Sequence, residues 1–150
     1  MDKLYPAALS LLGAVGEKHS RLFSSRCSHI KKGFERKGKK MIHETIKQIE
    51  ARIETAKSLN VEKKRELLDL ISTLKTEVSE FSEAHPEQTR SITGFAEMSI
   101  HEATREKKNP QLLKLSLQGL SVSVKGFEGS HPKMVGVVNS ICLSLSNIGI

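Results

Sequence analysis

Phe81-Ser82-Glu83-Ala84-His85-Pro86 returns forty-six residues later as Phe127-Glu128-Gly129-Ser130-His131-Pro132, and this echo decides the fold. The agreement runs outward in both directions from the two motifs. Leu67 matches Leu113, Ile71 matches Leu117, Leu74 matches Leu120 and Val78 matches Val124; beyond the prolines, Ile92 matches Val138 and Phe95 matches Ile141. Self-similarity at a fixed period marks repeated supersecondary units, each too small to bury its apolar face alone. The matched apolar positions recur every three or four residues, the period of a helix with one buried side. Proline fixes φ near −65° and lacks an N–H, so it suits the first turn of a helix and pushes the residue before it into extended backbone. His85, Pro86, His131 and Pro132 are therefore expected as structural turns between antiparallel helices. Asn109-Pro110 repeats that chemistry between the units, with Asn109 as N-cap and residues 106–109 as the connecting loop.

Upstream of the repeats, Ile42, Ile46, Ile49, Ile53 and Ala56 recur at spacings of four and three. They predict a helix from Met41 with a seam like that of a coiled coil. At under three heptads this seam must pack on something, either the rest of the chain or a second copy. Asn60 then marks a turn, and a second helix is expected from about Glu62. The predicted architecture is all-α: an antiparallel bundle of about five helices over residues 41–150, with repeat units at about 62–107 and 110–148. Gly94, Gly119, Gly126 and Gly136 fall within or beside these helices, where close helix packing is the simple explanation. No stretch keeps a strand's alternation.

Charge divides the chain. Of its 150 residues, the first forty carry ten Lys/Arg against three acidic residues, and residues 41–150 carry fourteen of each, so the whole net charge of +7 lies in the first quarter. Residues 1–40 read as a basic, mobile tail or as an extension foreign to the native protein. Within it, Lys31, Lys32, Arg36, Lys37, Lys39 and Lys40 form the cluster that could bind nucleic acid or an anionic surface, by displacing counterions. Only Phe23 and Phe34 accompany it, which is poor support for base stacking. The apolar run Leu4–Val15 would span about 18 Å as a helix, short of a hydrocarbon layer of about 30 Å, so no transmembrane span is expected.

Little in the chain points to catalysis. Composition, with 37% hydrophobic and 27% charged residues, excludes collagen and a membrane bundle, and two cysteines, Cys27 and Cys142, make no disulfide framework. Cys142 reads as a small core residue. His85 and His131 could bring two imidazoles together, yet no carboxylate or cysteine repeats in step with them. Glu97 and His101 share a helix face but lack the partner glutamates of a bundle metal site. No phosphate loop or nucleophile elbow is present. No cofactor or metal is expected, and the chain is expected not to be an enzyme.

The segment Phe127-Glu128-Gly129-Ser130-His131-Pro132 through Leu145-Ser146-Asn147-Ile148-Gly149-Ile150 resembles the end of a bacterial family of short proteins catalogued as domain of unknown function 4404. Members are similar in carrying Phe-Glu-x-x-His-Pro, a hydrophobic helix and a terminal Asn-Met-Gly-Ile, where this chain has Ile148 for the methionine. The resemblance extends back as amphipathic helix to Met41. It implies a small cytoplasmic helical protein and brings no catalytic residues. The expected role is protein–protein interaction or scaffolding through the stripe Ile42, Ile46, Ile49 and Ile53, with a homodimer or another helical protein as partner. The alternative is binding of nucleic acid or an anionic surface through the tail.

Overall fold

The computed structural model describes residues 32–33 and 36–149. Among the described residues there are five helices and no strand: α1 (36–55), α2 (Val61–Ala84), α3 (Pro86–Thr104), α4 (Pro110–Ser123) and α5 (Pro132–Gly149). The all-α bundle predicted from the repeat is what the chain forms. Contacts divide the chain into 1–37 and 38–150. Of the first part, residues 32, 33, 36 and 37 are described, all helical and exposed.

Capping chemistry sets the helix starts. Asn60 accepts the Lys63 N–H at 2.8 Å ahead of α2, and Asn109 accepts the N–H groups of Gln111 and Leu112 at 3.1 and 3.2 Å ahead of α4. Pro86, Pro110 and Pro132 each open a helix. The helix α1 includes residues 36–40, so it starts upstream of Met41. Gly38 is buried one turn before Ile42 and continues its stripe, a step that a glycine hides from any hydrophobicity pattern. Lys39 Nζ also bonds Glu83 Oε1 at 2.8 Å, tying this turn to the end of α2.

Antiparallel order follows from the short connections and from pairs along the helices. Lys75 of α2 faces Glu50 of α1 at 3.8 Å, and Lys133 of α5 faces Glu77 of α2 at 3.8 Å. One core runs through all five helices, centred on Ile46, Ile49, Ile53, Leu67, Ile71 and Leu74, with Ile92, Leu120, Met134 and Ile141 completing it. Several buried hydroxyls in the helices donate to carbonyls four residues back, as Thr93 does to Thr89 at 2.9 Å and Ser116 to Leu112 at 2.7 Å; buried Ser144 Oγ has no hydrogen-bond partner among the described residues.

The two repeat units share backbone bonding at their turns. The His85 N–H donates to the Phe81 carbonyl at 3.0 Å and the His131 N–H to the Phe127 carbonyl at 2.7 Å; the carbonyl of each histidine then accepts the N–H four residues on, from Thr89 and Val135. The units differ in how the first helix ends. While α2 stays helical through Phe81, α4 stops at Ser123 and Phe127 lies in a turn. Gly126 has φ +89°, a left-handed conformation cheap only for glycine, and its N–H donates to Glu128 Oε2 at 2.8 Å. Its counterpart in the first unit is Glu80, which remains in the helix.

Candidate functional site

The isoleucine stripe expected as an interaction surface is inside the protein. Ile42, Ile46, Ile49 and Ile53 are at most 8% exposed, all packed into the chain's own core. Of the two partners open to this seam, the structure supplies the intramolecular one, because the stripe packs into the core that the chain's other helices share. As a docking surface the stripe is therefore corrected.

Of the basic cluster, Lys31 lies outside the described residues. Lys32, Arg36, Lys37, Lys39 and Lys40 are exposed, and Lys39 is committed to Glu83, whose carboxyl it holds below the ordinary carboxylate range through its hydrogen bond and its charge. Cys27 and the run Leu4–Val15 also lie outside the described residues. Among the described residues no helix is long and apolar enough to cross a membrane.

At one end of the bundle the two repeated motifs meet. Phe81 stacks on His85 with centroids 4.6 Å apart and receives Phe127 and His131 edge-on, each at 4.9 Å. His85 and His131 face each other at 6.1 Å. The turn assigned to His85 is built by its backbone and its ring: it is both C-cap of α2 and N-cap of α3, with no capping bond from its side chain. The imidazoles are thus spent on aromatic packing. Glu97 and His101 do not pair; His101 Nε2 approaches Glu102 Oε1 at 3.9 Å, and buried Glu102 takes Arg105 Nη1 at 2.8 Å. Among the described residues no three His, Cys, Asp or Glu side chains are grouped to hold a metal. Cys142 is half-buried, burial raises its thiol pKa, and its Sγ faces the Leu117 carbonyl at 3.8 Å.

The glycines separate by cause. Gly119 lies directly under the Phe95 ring, which fills the space a side chain would need, so close packing explains it. Gly126 is explained by its positive φ. Around Gly94 and Gly136 no atom of another helix or of a nearby side chain among the described residues comes within 4 Å of where a Cβ would stand, so close packing among those residues does not account for them.

The Phe95–Gly119 contact also joins two apolar rows on the outside of the bundle. Leu112, Leu115, Gly119 and Val122 are spaced three, four and three along α4 and share one face; Phe95 and Met98 share one on α3. The antiparallel register set by Phe95 on Gly119 brings Met98 alongside Leu115. These five large side chains remain exposed: Phe95 40%, Met98 51%, Leu112 42%, Leu115 55% and Val122 59%. Here the repeat breaks, since Phe95 is exposed while its counterpart Ile141 is fully buried. On the other side of α4, Leu113, Lys114, Leu117, Gln118 and Ser146 line a separate groove of about 430 Å³. Comparison of the chain with protein-family models, curated proteins and solved structures gives no match.

Proposed function

We propose that this chain is a non-enzymatic helical interaction or scaffold module that docks through the apolar face of α3 and α4. The observation that carries this reading is the contiguous row of Phe95, Met98, Leu112, Leu115 and Val122, each two-fifths or more exposed. Five such side chains on one face leave on the order of 400 Å² of apolar surface in water, the size of the largest patch on an ordinary monomer, which is often functional. The resemblance to the family catalogued as domain of unknown function 4404 belongs to the same proposal, supported by Phe127-Glu128 with His131-Pro132 and by the chain's last residues. A cytoplasmic location is proposed on that resemblance.

The test is photo-crosslinking in the protein's own cell, with a photoreactive residue at Leu115 and, as control, at exposed Val61 of α2. Protein adducts from position 115 that position 61 does not give are the expected result. Equal or absent adducts at both positions overturn the reading.

A second reading, binding of nucleic acid or an anionic surface, is supported by the exposure of Lys32, Arg36, Lys37 and Lys40. It requires affinity that falls steeply with salt. Replacing Lys31, Lys32, Arg36, Lys37 and Lys40 with Gln in the whole chain should abolish such binding; binding to an RNA or DNA oligomer that survives the change refutes it.

A further inference from the structure

We propose that the hollow between the α1–α2 and α3–α4 connections is a binding site for a phosphate monoester. It shares no residue with the apolar docking face of α3 and α4.

Antiparallel order gathers the ends of α1, α3 and α5 and the starts of α2 and α4 at the end of the bundle away from Phe81. A hollow of about 290 Å³ opens there, with Arg52, Lys57 and Arg105 around it, Ser58 beside them and buried Ala56 in its wall. Glu106 is the one carboxylate of that lining. One helix and two connections thus set three positive charges around a single small space.

Helix capping does not use up these groups. Lys64 Nζ donates to the Glu54 carbonyl of α1 at 2.9 Å, the Arg105 N–H to the His101 carbonyl of α3 at 3.1 Å, and Lys108 Nζ to the Ile148 carbonyl of α5 at 2.9 Å. The Arg52 guanidinium, the Lys57 ammonium and the Ser58 hydroxyl have no partner among the described residues, so three donors line one hollow without an acceptor. Arg105 is fixed instead. Its Nη1 is held at 2.8 Å by buried Glu102, which steadies the guanidinium at the edge of the hollow and leaves its other N–H groups available. Glu102 offsets part of that charge, so the pull on an anion falls chiefly to Arg52 and Lys57.

Such donors select a compact oxyanion. The planar fork of arginine matches two oxygens of a phosphate, and lysine adds a point charge. A phosphate monoester concentrates nearly two negative charges on one group at neutral pH, whereas a dicarboxylate spreads them over two. At about 290 Å³ the hollow lies at the lower end for small-ligand sites, room for a phosphate and a short organic group. The carbonyl ends of α1 and α3 are negative and two of the cations are exposed, so binding is weak and falls with salt.

Amide chemical shifts of the isotopically labelled whole chain, titrated into the millimolar range with inorganic phosphate and with glycerol phosphate at an ionic strength fixed by sodium chloride, test the site. Saturable shifts at residues 52–58 and 104–106 are expected. Arg52→Gln and Lys57→Gln, both at exposed positions, should leave circular dichroism unchanged and each weaken binding roughly tenfold, the worth of one charge-assisted hydrogen bond. Lys125→Gln, exposed at the other end of the bundle, should bind like the unsubstituted chain. Phosphatidylcholine vesicles containing phosphatidic acid, set against soluble glycerol phosphate, tell whether a lipid or a small molecule carries the phosphate; binding of either through Arg52 and Lys57 supports the site. Shifts that never saturate, that survive both substitutions or that succinate reproduces equally overturn the proposal.

Discussion

His85 and His131 stand at equivalent places in the two repeat units and face each other with ring centroids 6.1 Å apart and planes nearly perpendicular. Between them lies Phe81, which touches His85, Phe127 and His131 at 4.6, 4.9 and 4.9 Å. The same motif that turns each hairpin thus closes the two hairpins on each other. A histidine pair that suggests a metal in one dimension is, in three, an aromatic plug at the end of a core.

Phe81 is 1% exposed and Phe127 only half-buried, so the two equivalent residues should not be equally important. Phe81→Ala should cost about 3–5 kcal/mol by the cavity it leaves, and Phe127→Ala clearly less. Because the rings touch, the double substitution should cost less than the sum. Urea unfolding of the three variants measures all of this.

Gly119→Ala should destabilise by roughly 1–3 kcal/mol, since the new methyl group falls within the Phe95 ring and forces it off its site. Removing the ring first with Phe95→Ala should make the same substitution neutral or favourable, alanine being the better helix former. A double-substitution cycle that showed no coupling between the two would contradict the packing described.

Ile53 is fully buried, so Ile53→Ala should cost about 2–5 kcal/mol in denaturant unfolding. By contrast Leu115→Ser, on the exposed face, should change the stability of the dilute chain by no more than about 0.5 kcal/mol. The reverse order would mean that α1 is not part of the core.

Glu66 accepts Lys63 Nζ at 2.9 Å, and that hydrogen bond, with the charge of the ammonium, lowers its carboxyl pKa. A carboxyl whose folded-state pKa is depressed contributes stability above its unfolded pKa, lost as pH falls through the folded one. Glu66→Gln should therefore lower stability at neutral pH by a few tenths of a kcal/mol, as solvent-exposed pairs do, and make no difference once the pH is below the ordinary carboxylate range. Thermal melts at the two pH values compare them.

Burial raises the Cys142 thiol pKa, so the folded chain should react with iodoacetamide at Cys142 far more slowly than the urea-unfolded chain at the same pH. Peptide mapping after timed alkylation follows that one residue.

The helices were legible because their causes are local. A 3.6-residue apolar period, asparagine caps and prolines in first turns act within a few residues of each other, and they placed Asn60, Pro86, Asn109 and Pro110 correctly at helix boundaries. The start of α1 was not legible, since Gly38 joins the buried stripe yet carries no hydrophobic signal of its own. Nor was the role of Ile42, Ile46, Ile49 and Ile53. An amphipathic helix announces that one face must be covered, and only the arrangement of the other four helices decided that this chain covers it by itself.

The exposed face was illegible for the same reason in reverse. Leu112, Leu115 and Val122 look like core residues in sequence, and α4 is apolar around much of its circumference. Which of its faces stays in water depends on where α3 and α5 lie. The sequence by itself determined the helices, their turns and their pairing into repeated hairpins, because spacing, capping and proline geometry are properties of neighbouring residues. The tertiary structure alone decided which apolar stripes are buried and which remain for a partner, because burial is shared among helices distant in the chain.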